Sequence, residues 1–265
     1  MVKTQNITRE MKSIYSLLIF LILFSCKKGV PEESRMTEEV TSYPAWITTD
    51  YVMGKFDPAS HDSFVLIDKS LADREGLYLR EDVYRAYKIM QAKAEEEGVR
   101  LVIRSATRNF DYQKGIWERK WTGKTPLSDG TKASDISDHR ERAKKILLYS
   151  SMPGSSRHHW GTDIDLNSFD NSYFEHGEGL KIYEWLKKHA ATYGFCQPYT
   201  DKAEGRTGYE EERWHWTFTP VSSDLTKYCS EHLSNDLISG FHGSEVAADL
   251  DIVGTYVLGI GKDCF

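Results

Sequence analysis

Helical and strand periods interleave along this chain from Pro44 to its C-terminus, and this alternation restricts the available folds more than any other feature. In REDVYRAYKIMQAKAEEEG (80–98), Val83, Ala86, Tyr87, Met90 and Ala94 recur at helical spacing, and Gly98 stands where a helix would stop. VRLVIRS (99–105) then switches to a period of two, with Val99, Leu101 and Ile103 on one face of a strand. A second helix is predicted over about 138–150, with Ala143, Ile146, Leu147 and Ser150 on one side and Pro153-Gly154 breaking the chain after it. LKIYEWLKKHAATYG (180–194) gives a third, burying Ile182, Leu186, Ala190 and Tyr193 and stopping at Gly194. RWHWTF (213–218) alternates aromatics with His215 and Thr217 and reads as a strand. Further helices are expected around 224–233 and within 245–258. Mixing of this kind without a strict βαβ rhythm, and without an internal repeat, predicts a single α+β domain.

The folded body is expected over 44–265, ending in a helical tail (221–265) that carries no recognisable chemistry. Ahead of it, residues 1–26 combine Lys3, Arg9 and Lys12 with an apolar run from Ile14 to Phe24, too short to span a membrane comfortably and shaped like the core of a signal peptide. Leu23-Phe24-Ser25-Cys26 resembles the lipobox of bacterial lipoproteins, with Phe24 bulkier than the usual small residue. That resemblance implies lipidation of Cys26, membrane association and a place in the bacterial cell envelope, at the periplasmic face of a membrane. Residues 27–43 are polar and lack an apolar period, as a tether would be. Cys196, Cys229 and Cys264 then remain, enough for one internal disulfide whose pairing the spacing leaves open, and none is spaced for a thiolate metal site. A net charge of -6 with scattered Lys and Arg offers no footprint for nucleic acid.

Three stretches can carry chemistry. SSRHHWGTDIDLN (155–167) holds His158, His159, Asp163 and Asp165, any of which suits a divalent metal. EEERWHW (210–216) adds Glu212 and His215. Catalytic zinc takes three His or carboxylate ligands and keeps a position for water, and a carboxylate near the metal but not bound to it moves the proton. Residues 212 and 215 point to opposite faces of an ideal strand, so for both to serve one site the strand must begin after Glu212 or bulge near Arg213, and the alternation within Trp214-His215-Trp216 favours a start after Glu212. Finally, RSATRNFDYQ (104–113) places Arg108, with Gln113 behind it, in a loop at a strand end, where a fixed positive charge can meet an oxyanion or a substrate carboxylate.

In order and spacing these pieces resemble the VanY-type D-alanyl-D-alanine carboxypeptidases of the LAS metallopeptidases. The family's Ser-x-His-x-x-Gly-x-Ala-x-Asp reads here Ser156-Arg157-His158-His159-Trp160-Gly161-Thr162-Asp163-Ile164-Asp165, and its Glu-x-Trp-His reads Glu212-Arg213-Trp214-His215. Its Ser-Gly-Tyr-Arg with a following Gln reads Ser105-Ala106-Thr107-Arg108 and Gln113, so that the likeness covers about 101–218. The resemblance implies a compact LAS-type fold with a small antiparallel sheet flanked by helices, and one Zn2+ held by His158, Asp165 and His215. It implies Glu212 as catalytic base, Arg108 on the tetrahedral intermediate, and Ser156 and Gln113 at the terminal carboxylate of a peptidoglycan stem peptide ending in D-alanine. Three departures stand out: Asp163 for the usual alanine, as a partner for His158 or His159 or an occasional ligand; Arg213 for proline; and Ser-Ala-Thr for Ser-Gly-Tyr. Alternative activities on the same motifs are an endopeptidase, an L,D-carboxypeptidase, or a catalytically silent wall-binding lipoprotein. His159 is expected to pack or line the pocket.

Overall fold

The computed structural model describes residues 43–265. The expected leader (1–26) with Cys26, and positions 27–42 of the expected tether, lie outside the described residues. In chain order the elements are α1 (Thr49–Val52), β1 (Phe64–Leu66), β2 (Tyr78–Arg80), α2 (Glu81–Glu96), β3 (Ile103–Ser105), α3 (Phe110–Trp121), α4 (His139–Ile146), β4 (Asp163–Leu166), α5 (Gly177–His189), β5 (Phe195–Cys196), β6 (His215–Phe218) and α6 (Thr219–His232). Four strands form one antiparallel sheet in the order β3-β4-β6-β5, while β1 and β2 make a separate antiparallel ribbon. The architecture is α+β, as the periodicities require. No helix among the described residues is long and apolar enough to cross a membrane.

The strand period of two sorts the residues of the sheet. Ile164 and Leu166 of β4 join one apolar cluster with Leu79, Val83, Met90, Leu101, Ile103, Ile182 and Leu186, which packs α2 and α5 against that face. Asp163 and Asp165 point the other way, and the register Asp163↔Thr217 and Asp165↔His215 puts β6's His215 and Thr217 beside them. That polar face is also covered: a second apolar cluster built on Trp117, Trp160, Leu225 and Val257 lies on its side, and every residue of β4 is buried.

Where the elements end follows from local chemistry. Asn109 caps α3 by accepting from Tyr112 N–H, and Asp138 caps α4 by accepting from Glu141 N–H. The α4 helix ends at Ile146, short of the expected 150, and Ser150 and Ser151 instead line a cleft. The strand expected from Val99 is regular only from Ile103. Val99 and Leu101 are buried as their alternation predicts, but β4 stops at Leu166, and Asn167, at φ +62, turns the chain away. Asn167's side chain takes over the ladder's role, accepting from Val102 N–H and donating to the Arg100 carbonyl. The helix expected within 245–258 is not α-helical. A 3-10 turn (Ser244–Val246) and a π-turn (Ile252–Val257) occur there, β-branched Ile252, Val253, Thr255 and Val257 being weak helix formers and Asn235 holding both Val253 N–H and the Asp251 carboxylate. Cys196 of β5 bonds to Cys264 across 68 positions, and Cys229 remains a buried free thiol, which settles the pairing that spacing left open.

Candidate active site

The adjacent histidines His158 and His159 sit on a 3-10 turn, Arg157–Trp160, between the Pro153-Gly154 break and β4. Gly161 ends that turn at φ +72, and a Cβ there would stand 2.4 Å from the Phe64 ring, so the tight entry into β4 requires glycine. The turn sends the adjacent histidines to different tasks. His158 donates from Nδ1 to the Ala106 carbonyl at 2.8 Å, which leaves Nε2 as the ring's lone-pair nitrogen, 3.2 Å from Asp165 Oδ2. His159 donates from Nδ1 to the Arg108 carbonyl and accepts from Gly154 N–H at Nε2, so both its nitrogens are engaged by backbone.

His215, opposite Asp165 in the sheet, has Nδ1 3.2 Å from Asp165 Oδ1 and 3.1 Å from Glu212 Oε2. Donor atoms of His158, Asp165 and His215 all lie within 4.8 Å of one another. His158 Nε2 and Asp165 Oδ1 are buried with no hydrogen-bond partner, an arrangement that costs free energy unless a further group satisfies it. Two imidazoles and a carboxylate converging, with His158 Nε2 and Asp165 Oδ1 unpaired, fit a divalent metal of the zinc type, with coordination left for water. Burial alone would depress the His215 pKa, but hydrogen bonds with Asp163, Asp165 and Glu212 outweigh it and raise it well above the ordinary value. The site favours a cation at this ring.

Glu212 lies just outside β6, in a turn closed by His215 N–H donating to its carbonyl, so the strand does begin after it. Both side chains therefore reach one site. Burial raises the Glu212 pKa, with the His215 hydrogen bond opposing. These groups line an open cleft of about 740 Å³ together with Arg108, Ser156, Lys120, Tyr149 and Trp214. Arg108 Nε and Ser156 Oγ are buried without partners. Gln113 stands back from the cleft: fully buried, it donates to the Ser151 carbonyl and so supports a wall residue.

A sequence profile of the family described as VanY, D-alanyl-D-alanine carboxypeptidase, matches residues 76–221, from the end of the loop before β2 to the first turn of α6. The chain belongs to the VanY family. Among curated relatives, it is similar to the putative carboxypeptidase YodJ of Bacillus subtilis (strain 168), 29% identical over 179 residues, and the match spans 64% of this chain and 58% of that protein. Similar solved structures include a mutant of the vancomycin resistance D,D-pentapeptidase VanY from a VanB-type resistance cassette in complex with Zn(II), at TM-score 0.46 and 22% identity over 64% of this chain and 86% of that one. Another is the LD-carboxypeptidase LdcB, at TM-score 0.46 and 20% identity over 78% of each chain.

Within the VanY motif the departure at Asp163 has a definite place. Contrary to the expectation of a partner for His158 or His159 or an occasional ligand, it hydrogen-bonds to neither ring and is not in the metal-donor group; it accepts instead from His215 Nε2 at 2.8 Å. Arg157, the variable position of the motif, is its buried ion-pair partner at 3.2 Å. Lys120, on the last turn of α3, also escaped the sequence reading: it enters the cleft and donates to Ser150 Oγ, and burial followed by the Arg108 charge lowers its pKa. A lysine near a helix C-terminus is ordinary in sequence, so no local signal marked it.

Proposed function

We propose that this chain is a zinc-dependent D,D-carboxypeptidase that removes the terminal D-alanine from peptidoglycan stem peptides. The observation that carries this reading is the meeting of the His158, Asp165 and His215 donors with the carboxylate of Glu212, in a cleft that Arg108 also enters. Those three residues would hold the zinc, which when bound would supply Lewis acidity for a carbonyl and a water of pKa about 7. Glu212 takes the proton of the attacking water and returns it to the leaving nitrogen. Arg108, which lines the cleft and whose Nε has no partner of its own, meets the developing oxyanion. Ser156 Oγ–H, with no acceptor of its own, is free to bind the substrate's terminal carboxylate, and Gln113 acts there through the Ser151 wall. The activity is assigned to the cell envelope, on a lipoprotein held by Cys26. The basic leader, its apolar run and the lipobox-like cysteine support this, as does a substrate polymer that lies outside the cytoplasm.

The test is incubation of the zinc-loaded protein with a pentapeptide stem and, separately, with a tetrapeptide stem and a cross-linked dimer, reading products by mass. D-alanine released from the pentapeptide alone is the expected result, lost in Glu212→Ala while zinc stays bound. Cleavage of the tetrapeptide or of the dimer would reassign the enzyme as an L,D-carboxypeptidase or an endopeptidase. Binding of sacculi with no product from any substrate would make it a silent wall-binding protein.

A further inference from the structure

The buried carboxylate of Asp163 is saturated with donors. Its Oδ1 accepts from Thr162 Oγ1 and Thr217 Oγ1, each at 2.7 Å, and its Oδ2 accepts from Arg157 Nε at 3.2 Å and His215 Nε2 at 2.8 Å. Arg157 is itself fixed on every side: its remaining nitrogens donate to Thr226 Oγ1 of α6 and Thr217 Oγ1 of β6, and its guanidinium lies 4.3 Å from the centre of the Trp160 ring. Neither residue is more than 1% exposed. An ion pair withdrawn this far from water is costly to form and contributes little net stability by itself, so its presence calls for a purpose beyond holding the fold. The one edge of the network that reaches the metal-donor group is the hydrogen bond to His215.

We propose that Asp163, anchored by Arg157, is a positioning residue for the metal: it fixes His215 as the Nε2–H tautomer, presents Nδ1 to the ion, and strengthens that nitrogen as a ligand. The geometry is one-sided. Nε2 faces Asp163, while Nδ1 faces the Asp165 and Glu212 carboxylates. A carboxylate behind a ligating imidazole orients the ring and raises its basicity, typically changing metal affinity by about 10–100-fold. Alanine, which the VanY motif carries at this place, offers no such bond, so this chain holds its third ligand by a device the motif lacks. The inference rests on the metal site of the proposed function, and its test reads metal binding rather than peptidase activity.

Zinc affinity would be measured by chelator competition in the wild-type protein, in Asp163→Asn, and in the double variant Arg157→Met with Asp163→Ala, each checked for folding by circular dichroism. Asn keeps the shape, and the Thr162 and Thr217 hydroxyls can reorient to accept from its amide. The double variant removes both charges together and leaves neither orphaned. Expected are a loss of about tenfold for Asn and 10–100-fold for the double variant, with a changed cobalt(II) visible spectrum in both. Histidine 15N shifts of the zinc-loaded wild type, which need no variant, should show His215 protonated at Nε2 and metallated at Nδ1. Metallation through Nε2, or a folded double variant binding zinc as tightly as wild type with the same cobalt spectrum, would overturn the proposal. A wild-type protein that binds no zinc would instead refute the metal site itself.

Discussion

Replacing His159 by leucine separates the two adjacent histidines by experiment. His159 ties Gly154 N–H to the Arg108 carbonyl, and a Cβ on Gly54 would stand 2.4 Å from its ring, so the ring fills its space tightly. Burial lowers its pKa to about 3, which keeps the imidazole neutral with one nitrogen donating and the other accepting. Leucine is close in size, so little cavity forms, but two buried backbone groups lose their partners at about 1–3 kcal/mol each. The expected destabilisation is about 2–6 kcal/mol, or at least roughly 5 °C in melting temperature for a body of this size. Freed from its carbonyl anchor, Arg108 shifts, and kcat falls by up to about 100-fold. Zinc stoichiometry stays as in wild type, because neither nitrogen of His159 faces the metal donors. His158→Ala should do the reverse, losing the metal. Thermal melts in chelator, paired with zinc titration, give both readouts. A His159→Leu protein that lost its zinc but melted like wild type would refute the division of labour drawn from the turn.

Removing the Cys196–Cys264 bridge with paired serines frees a loop spanning 68 positions, and loop-closure entropy then predicts a loss of about 4 kcal/mol. The melting temperature should fall by roughly 8–16 °C with zinc affinity unchanged; a shift under about 2 °C would show that the bridge merely ties down a frayed end. The Cys229 thiol, pushed up to about 12 by burial, should resist iodoacetamide at neutral pH until the protein is denatured, as peptide mapping can read. Lys120→Met should raise KM about tenfold or more for peptides with a free terminal carboxylate, with kcat little changed, since a charge-assisted hydrogen bond contributes about 1.5–3 kcal/mol. An amidated peptide tells whether the carboxylate is what Lys120 meets: on that substrate the variant and the wild type should be alike.

How far the site could be read from the sequence depended on whether a residue's position follows from its neighbours. His158 and Asp165 lie within one turn-and-strand unit, so their spacing already places them near each other. Glu212 and His215 needed one added condition, that the strand begin after Glu212, and the alternation of Trp214-His215-Trp216 indicated it. Asp163 is different. Its face follows from the strand period, but its partner depends on the pairing of β4 with β6, a contact between positions 52 residues apart that no local spacing encodes. Lys120 and Gln113 show the same limit on α3: both are on one helix, and only packing decides that the lysine enters the cleft while the glutamine turns to the Ser151 carbonyl. The tail misled for a related reason. Its apolar spacing suits a helix, but Asn235, outside the segment, captures Val253 N–H and Asp251 and turns the chain into a π-turn.

The same reasoning explains why two neighbouring histidines in one motif cannot be exchanged. In a 3-10 turn successive side chains diverge by about a third of a turn, so adjacent residues cannot face a common point. One ring had to face the sheet's polar side, where Asp165 and His215 converge, and the other had to face the loop that carries Arg108. Each ring then has its donor nitrogen taken by a backbone carbonyl, Ala106 for His158 and Arg108 for His159. What separates a ligand from a strut is the second nitrogen. In His159 it meets Gly154 N–H and is spent; in His158 it meets only Asp165, with no proton between them to share, and stays available to a metal. The Ala106-Thr107-Arg108 segment, a departure from the family motif, thus orients both rings through its carbonyls, which depend on backbone course rather than on side-chain identity. That is how the segment can change two of its residues and still hold the ligand and the guanidinium in one cleft.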